Sequence, residues 1–253
     1  MSAQSIFLGI HCWPGKRAFT FAALDASLHL VALGEGDQEA AASYAAGLST
    51  CVAALNAPAS PSQLLLKEVV IPVRLRRLRC AEAELAQHAI PIPHTPPQDE
   101  ATPPWIMRGF KLYEALRSLG YCAYPSDNAP RQWMEVNAEA AFHTLLPGKL
   151  LESETLEGRL QRQLSLYDHK LPVEDPMDFF EEVTTFKLLN GNITLKNIFS
   201  PEELDALVCA YTAWKSVHEA ADLTQVGDER EGLIFLPGNL PGISSSRQIK
   251  LFD

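Results

Sequence analysis

Three β-prone runs follow one another at the start of the chain, at residues 5–11, 17–24 and 27–33. The connections between them are short, and the first contains the turn sequence WPGK at residues 13–16. Connections this short join antiparallel neighbours, because a parallel pair needs a crossover of about a dozen residues or more. The chain is therefore predicted to begin with a three-strand antiparallel meander.

A helix and a further strand are predicted directly after the meander. The segment GEGDQEAAASYAAGL has Asp37 near its start and Gly47 near its end, which is typical of a helix. Residues 50–55 then form a short apolar run that stops at Asn56. A meander, a crossover helix and another strand predict an α/β fold, in which a sheet of mixed strand directions is flanked by helices.

Residues 57–104 interrupt this pattern with a proline-rich stretch that includes IPIPHTPPQDEATPPW. This stretch cannot form a regular helix or an interior strand. We interpret residues 57–104 as an excursion over the end of the sheet, with a linker between domains as the alternative. Long irregular insertions are usually lids or binding loops. The prediction is one domain over residues 1–253, with this insertion and a loosely held tail at about 239–253.

Regular spacing returns after the insertion. Helices are predicted at 105–120, 137–148, 154–166, 175–189 and 200–220. Short strands are predicted at 121–125, 132–136 and 231–238. The last helix has the clearest start, because Ser200 can cap it, Pro201 fits its first position and Glu203 completes a capping box.

Composition limits the classes of partner. The chain is 47% hydrophobic and 21% charged, which allows a sizeable core. Its formal net charge of -10 argues against broad, non-specific binding to nucleic acid or to anionic membranes. Neither a signal peptide nor a membrane span is expected, because the N-terminus lacks a basic region and no run reaches the roughly 18 apolar residues of a span. Its five scattered cysteines contain no C-x-x-C pair, which favours reduced, mostly buried thiols in a cytoplasmic protein.

Three polar residues stand where chemistry is expected in an α/β protein. His11 ends the first strand run. Glu135 lies in the apolar run WMEV, where a buried carboxylate needs a partner or a metal; the alternative is an outward-facing residue of a half-exposed strand. Asp205 borders the buried face of the last helix; the alternative is an acidic residue favoured near a helix N-terminus by the helix dipole.

Four arginines lie within six residues in the sequence VRLRRLRC: Arg74, Arg76, Arg77 and Arg79. Guanidinium groups this close suit the recognition of phosphate or carboxylate groups, including those of a nucleic acid. The alternative is a solvated face that pairs with Glu82 and Glu84. The chain contains no P-loop, dinucleotide-binding, nucleophile-elbow or H-E-x-x-H motif.

The predicted layout resembles the ribonuclease H-like superfamily. Several stretches are similar to one of its families of predicted nucleases, domain-of-unknown-function family 429. The similarity is strongest at EELDALVCAYTAW (202–214) and VGDEREGLIFLPG (226–238). The stretches MEV (134–136), RCAE (79–82) and LNAP (55–58) match more loosely.

The resemblance implies an acidic cluster that holds divalent metal, Mn²⁺ or Mg²⁺, for phosphodiester hydrolysis with two ions. It implies His11, Asn56, Glu135 and Asp205 as the catalytic set, with all but Asn56 as metal ligands and Asn56 orienting a water or a phosphate. Glu135 and Asp205 match the family pattern. His11 and Asn56 stand where aspartates are expected, and an imidazole ligand favours Mn²⁺, Zn²⁺ or Fe²⁺ over Mg²⁺.

Three functions remain open at this point. The first is a divergent metal-dependent nuclease or phosphoesterase. The second is a catalytically inactive member that binds nucleic acid or a protein partner, with the arginines at 74–79 as one contact. The third, an actin-like ATPase, is disfavoured because the glycine-rich phosphate loops of that branch are missing.

Overall fold

The computed structural model describes residues 5–12, 19–98 and 100–240, which contain one mixed sheet with helices on both of its faces. The strands are β1 (Ile6–Cys12), β2 (Phe19–Leu24), β3 (Leu30–Gly36), β4 (Cys51–Asn56), β5 (Cys122–Ala123), β6 (Arg131–Glu135), β7 (Thr224–Asp228) and β8 (Gly232–Leu236). The helices are α1 (Gln38–Ala46), α2 (Cys80–Gln87), α3 (Pro104–Ser118), α4 (Ala138–Leu145), α5 (Leu156–Asp168), α6 (Asp178–Glu182), α7 (Thr185–Leu189) and α8 (Pro201–His218). Short 3-10 helices lie at Val73–Leu75 and Ala220–Asp222.

The strand order is β3-β2-β1-β4-β6-β8-β7, and β5 also pairs with β6. The strands β1, β2 and β3 form the predicted antiparallel meander, and β4 pairs in parallel with both β1 and β6. The mixed α/β architecture is therefore confirmed. His11 is aligned with Asn56, and Leu55 with Glu135, so the ends of β1, β4 and β6 lie along one edge of the sheet.

Some predicted boundaries were wrong. Strand β3 begins three residues later than predicted, because the Asp25 carboxylate accepts hydrogen bonds from the backbone N–H groups of Ser27 and His29 and extends the turn. The predicted helix at 175–189 is two short helices separated by an extended Val183. Helix α2 was not predicted, because it lies inside the proline-rich insertion. Strand β7 was not predicted, because it contains Gly227 and glycine weakens a strand pattern. The predicted turn at 13–16 and the tail beyond residue 240 lie outside the described residues.

Helix α8 packs directly on β1 at Gly9. A Cβ atom at this position would lie 2.0 Å from the carbonyl oxygen of Ala206, so the close approach requires glycine. The first turns of α8 are fixed by the predicted capping box: Ser200 accepts from the N–H of Glu203 at 3.2 Å, and Glu203 accepts from the N–H of Ser200 at 2.8 Å. This packing brings Asp205 to the end of β1.

Side chains alternate between the two faces of β1. Phe7 belongs to the core cluster that contains α8, whereas Leu8 and Ile10 belong to the cluster on the opposite face, with residues of α1 and α3. His11 follows the phase of Phe7 and therefore points toward the α8 side. The end of β1 thus directs its one polar side chain at the helix that carries Asp205.

All five cysteines are free, and four of them are buried, as the scattered spacing predicted. In the described ranges, none of the helices combines the length and the apolar character needed to cross a bilayer.

Candidate functional site

His11, Asn56 and Asp205 meet at the carboxyl ends of β1 and β4 and the second turn of α8. The Nδ1 atom of His11 lies 2.8 Å from Nδ2 of Asn56 and 3.2 Å from Oδ2 of Asp205. The same Nδ2 atom lies 3.4 Å from Oδ2 of Asp205. The structure therefore brings together three of the four predicted catalytic residues, from three separate elements.

The amide of Asn56 is held in one orientation. Its Oδ1 atom accepts a hydrogen bond from the backbone N–H of Ala138, the first residue of α4, at 3.1 Å. Its NH₂ group consequently faces His11 and Asp205 as a donor. Because Asn56 donates to Nδ1, that ring nitrogen is an acceptor, and the imidazole's own proton is on Nε2.

Burial disfavours charge on both His11 and Asp205. Burial raises the pKa of Asp205 to about 8, although Arg162 opposes the rise. Burial lowers the pKa of His11 to about 4. Both shifts favour the uncharged forms, because a charge loses its hydration in this partly closed site. The pair therefore carries no net charge at pH 7.

Glu135, the fourth predicted residue, faces the other side of the sheet. Its neighbours Met134 and Val136 pack in the core cluster with α8, so alternation turns Glu135 away from Asp205. Its Oε2 atom accepts from NH1 of Arg79 at 3.0 Å and from the N–H of Ala59 at 2.9 Å. Its Oε1 atom accepts from NH2 of Arg79. Both carboxylate oxygens are thus occupied.

Arg79 is a buried cation of the fold. Its side chain is 1% exposed, and besides Glu135 it donates from Nε to Glu82 at 3.1 Å and from NH1 to the carbonyl of Glu231 at 3.3 Å. Burial alone would lower the pKa of Arg79, but Glu135 and Glu82 raise it above its usual value. The sequence predicted Arg79 as a phosphate contact, but its buried guanidinium is already paired with Glu82 and Glu135.

The other three arginines of the predicted cluster do not share a surface with Arg79. Arg74 is exposed, and Arg76 is half-buried, with its Nε donating to the carbonyl of Ile71 at 3.2 Å. Arg77 pairs with Glu100 at the surface. The structure therefore separates these residues into one buried and three outer positions.

The proline-rich insertion is tied to the sheet edge by buried carboxylates. Glu231, beside β8, accepts from the N–H of Gln63 at 2.7 Å. Within the insertion itself, Glu82 accepts from the N–H of Thr95 at 3.1 Å. Glu135 accepts from Ala59, as described above. A carboxylate that accepts several N–H groups holds a loop more firmly than a neutral acceptor does. The insertion thus lies over the ends of the strands.

A cavity of about 280 Å³ lies between the insertion and the strand ends. It is lined by His11, Asn56 and Asp205 on one side, by Arg79, Glu82 and Glu135 on another, and by apolar residues of the insertion and of α3. Sites of this kind, mostly apolar with a few converging polar groups, are where small molecules bind.

Sequence reasoning missed several residues of this cavity. Asn137 caps α4 by accepting from the N–H of Ala140 at 2.8 Å, and Glu139 pairs with the buried Arg162 at 2.7 Å. Trp105 lies at the start of α3. The position of Asn137 directly after a strand was a usable signal, because it is the cap position of a following helix. No local pattern links Glu139 to Arg162.

These donors do not fit the two-ion centre implied by the resemblance. Within residues 5–12, 19–98 and 100–240, no three His, Cys, Asp or Glu side chains are placed to hold a metal ion together. His11 and Asp205 offer two ligand atoms, but Asn56 presents an NH₂ group to both of them. Glu135 is committed to Arg79. Hard cations such as Mg²⁺ need several oxygen ligands, and these residues do not supply them.

A comparison with protein families matches residues 69–230 to the family described as "Protein of unknown function (DUF429)". The matched range covers more than half of the chain and includes Arg79, Glu135 and Asp205, whereas His11 and Asn56 precede it. No curated protein matches the chain.

Proposed function

We propose that this chain, which belongs to DUF429, a family of proteins of unknown function, is a ribonuclease H-like binding module without two-metal phosphodiester hydrolysis. Its ligand occupies the cavity beside His11, Asn56 and Asp205. The ribonuclease H-like placement is supported by the antiparallel meander, the crossover helix, the parallel strands that follow, and a late helix with an acidic residue packed against β1.

The orientation of the Asn56 amide is the main observation that supports this proposal. The Ala138 N–H fixes its oxygen, so its NH₂ group donates toward the His11 nitrogen and the Asp205 oxygen that would otherwise bind a cation. A metal ion at these two atoms would face an amide donor instead of a third anionic ligand.

The orientation of His11 also does not suit acid–base catalysis without a metal. A general base needs an unprotonated nitrogen that faces the substrate. Because Nδ1 of His11 accepts from Asn56, the other ring nitrogen carries the proton and acts as a donor. The polar end of the cavity is therefore suited to binding and orienting a molecule.

Metal-dependent phosphodiester hydrolysis is the second candidate, and one observation favours it. Nδ1 of His11 and Oδ2 of Asp205 are 3.2 Å apart, a separation that two ligands of a single transition-metal ion can have. A nucleic acid would then be the substrate and partner, and the exposed Arg74 and Arg77 of the arginine cluster would be candidate contacts for its phosphates.

Calorimetric titration of Mn²⁺ and Mg²⁺ into metal-free protein tests the two candidates. Asp205→Asn is the matched control, because it keeps the side-chain shape and removes the carboxylate. We expect no micromolar binding to either protein and no cleavage of single-stranded or double-stranded DNA or RNA in the presence of either ion. Micromolar Mn²⁺ binding that disappears in Asp205→Asn, together with metal-dependent cleavage, would replace the binding module with the nuclease.

A further inference from the structure

Building on the proposed binding function, we propose that the cavity takes an uncharged, flat nitrogen heterocycle of the purine or pyrimidine type, without a phosphate group. This ligand class follows from three properties of the cavity: the charges in its lining, the hydrogen-bonding groups left open, and its apolar walls.

The charges in the lining oppose an anion. In the described part of the chain, Arg79 is the only lysine or arginine that lines the cavity, and its guanidinium is already paired with Glu82 and Glu135. Glu139 adds a third carboxylate, which Arg162 pairs from outside the lining. A phosphate placed here would meet carboxylates without an uncommitted cation to bind it.

The open hydrogen-bonding groups include both donors and acceptors. Among the described residues, Nε2 of His11 and Nδ2 of Asn137 have no protein partner and are donors, whereas Oε1 of Glu139 has none and is an acceptor. An ammonium ion offers no acceptor to the two donors, and a carboxylate offers no donor to the acceptor. The edge of a purine or pyrimidine presents both kinds of group side by side.

The remaining walls are apolar and suit a flat ring. Trp105 lies on the α3 side, and Ile92 lies on the insertion between Pro91 and Pro93. Base rings stack on aromatic side chains with little dependence on base identity. The volume of about 280 Å³ is near the lower end of the range for small-molecule sites, so it suits one ring system with a sugar rather than a length of nucleic acid.

Calorimetric titration with adenosine, inosine and uridine, each compared with its 5′-monophosphate, tests this assignment in the full-length protein. We expect at least one nucleoside to bind, with its monophosphate weaker by roughly tenfold or more because of the carboxylates. Trp105→Ala should weaken nucleoside binding by roughly five- to a hundredfold. Met107→Ala, at an exposed residue of the same helix, should leave it unchanged.

Two results would overturn the ligand class. Tighter binding of a monophosphate or an oligonucleotide than of the nucleoside would show that the site recognises phosphate. Absence of binding by adenosine, inosine and uridine alike would overturn the assignment of a purine or pyrimidine ligand to this cavity. Neither result tests the proposed binding module itself, which the metal-binding and cleavage measurements test separately. The comparison of nucleoside with nucleotide uses the unmodified protein, so it holds even if Trp105→Ala does not fold.

Discussion

Arg79 and Glu135 form a two-pronged ion pair in which the side chains are 1% and 3% exposed, on the face of the sheet opposite Asp205. The two residues are 56 positions apart in the sequence, and the pair joins the insertion to the end of β6. It also withdraws Glu135 from the acidic cluster that the family resemblance implied. One contact thus affects both the anchoring of the insertion and the chemistry left at the strand ends.

Replacing Arg79 with methionine should destabilise the protein by about 3–5 kcal/mol, because Glu82 and Glu135 would remain buried without a cation. Urea denaturation monitored by circular dichroism measures this change. Arg74→Met is the matched control; its side chain is exposed, and its effect should stay within about 0.5 kcal/mol. Equal effects of the two substitutions would mean that the buried ion pair does not hold the insertion.

Stability should fall between pH 6.5 and pH 8 because of Asp205. Its pKa is raised from 3.8 to about 8, so the folded state binds this proton more tightly and loses stability as the pH rises through that range. Below pH 6.5 the lowered pKa of His11 has the opposite effect and offsets the loss, since the unfolded imidazole binds a proton there. The decrease should be about 1–2 kcal/mol.

Urea denaturation across this pH range, with Asp205→Asn as the control, isolates the contribution of the carboxyl. Other charged groups act on Asp205, namely Glu139, Glu154, Glu202 and Arg162, and they remain in the variant. The pKa of Glu84 is also raised by burial, to about 7, and its contribution is common to both proteins. An unchanged slope in Asp205→Asn would contradict the assignment of the proton to this site.

Asn56→Asp should create a binding site for Mn²⁺. The substitution places a carboxylate oxygen where Nδ2 now lies, 2.8 Å from Nδ1 of His11 and 3.4 Å from Oδ2 of Asp205. Two carboxylates and an imidazole are suitable ligands for Mn²⁺, and we expect its affinity to rise by roughly tenfold or more, about 1.4 kcal/mol.

Calorimetry with Mn²⁺ compares Asn56→Asp with the double variant that also carries Asp205→Asn. The double variant has a single carboxylate at the site and should lose the added affinity. If both variants bind Mn²⁺ equally, the ion is bound elsewhere, and the convergence of positions 11, 56 and 205 has no bearing on metal affinity.

Gly9→Ala should destabilise the fold by about 1–3 kcal/mol or more, because the new methyl group would overlap the backbone of α8. The clash involves the carbonyl of Ala206 at 2.0 Å and the N–H nitrogen of Ala210 at 2.3 Å, and neither backbone atom can move without shifting the helix. Thermal unfolding measures the effect. Gly47→Ala is the control, since its nearest atoms would be at an ordinary 3.5 Å and its φ of −72° suits alanine. Equal melting temperatures for the two variants would contradict the close packing of β1 and α8.

Local sequence patterns were sufficient for much of the fold. The antiparallel meander could be predicted because short connections permit few arrangements, and the start of α8 because a capping box uses residues only three positions apart. The same reasoning missed α2 and β7. Helix α2 is surrounded by prolines, and β7 depends on its antiparallel partner β8 rather than on its own strand propensity.

The candidate site could be predicted only in part from the sequence. The family resemblance selected His11, Asn56, Glu135 and Asp205. The parallel ends of β1 and β4 explain why His11 and Asn56 meet, and the packing of α8 on β1 brings Asp205 to them. It did not reveal that Glu135 turns to the opposite face, since a shift of one residue in the alternation reverses the side on which a side chain lies. It also did not reveal the partner of Arg79, because several arginines near several glutamates allow many pairings.

By itself, then, the sequence determined most of the strands and helices, and which polar residues stand at strand ends, because these depend on neighbours a few positions away. Tertiary structure alone decided the side of the sheet on which Glu135 lies, the burial of Arg79, and the orientation of the Asn56 amide. Each of these depends on groups brought together from distant parts of the chain: Glu135 with Arg79, and Asn56 with the N–H of Ala138. The free energy of a buried charge or amide is set by its partners in space, which spacing along the chain does not specify.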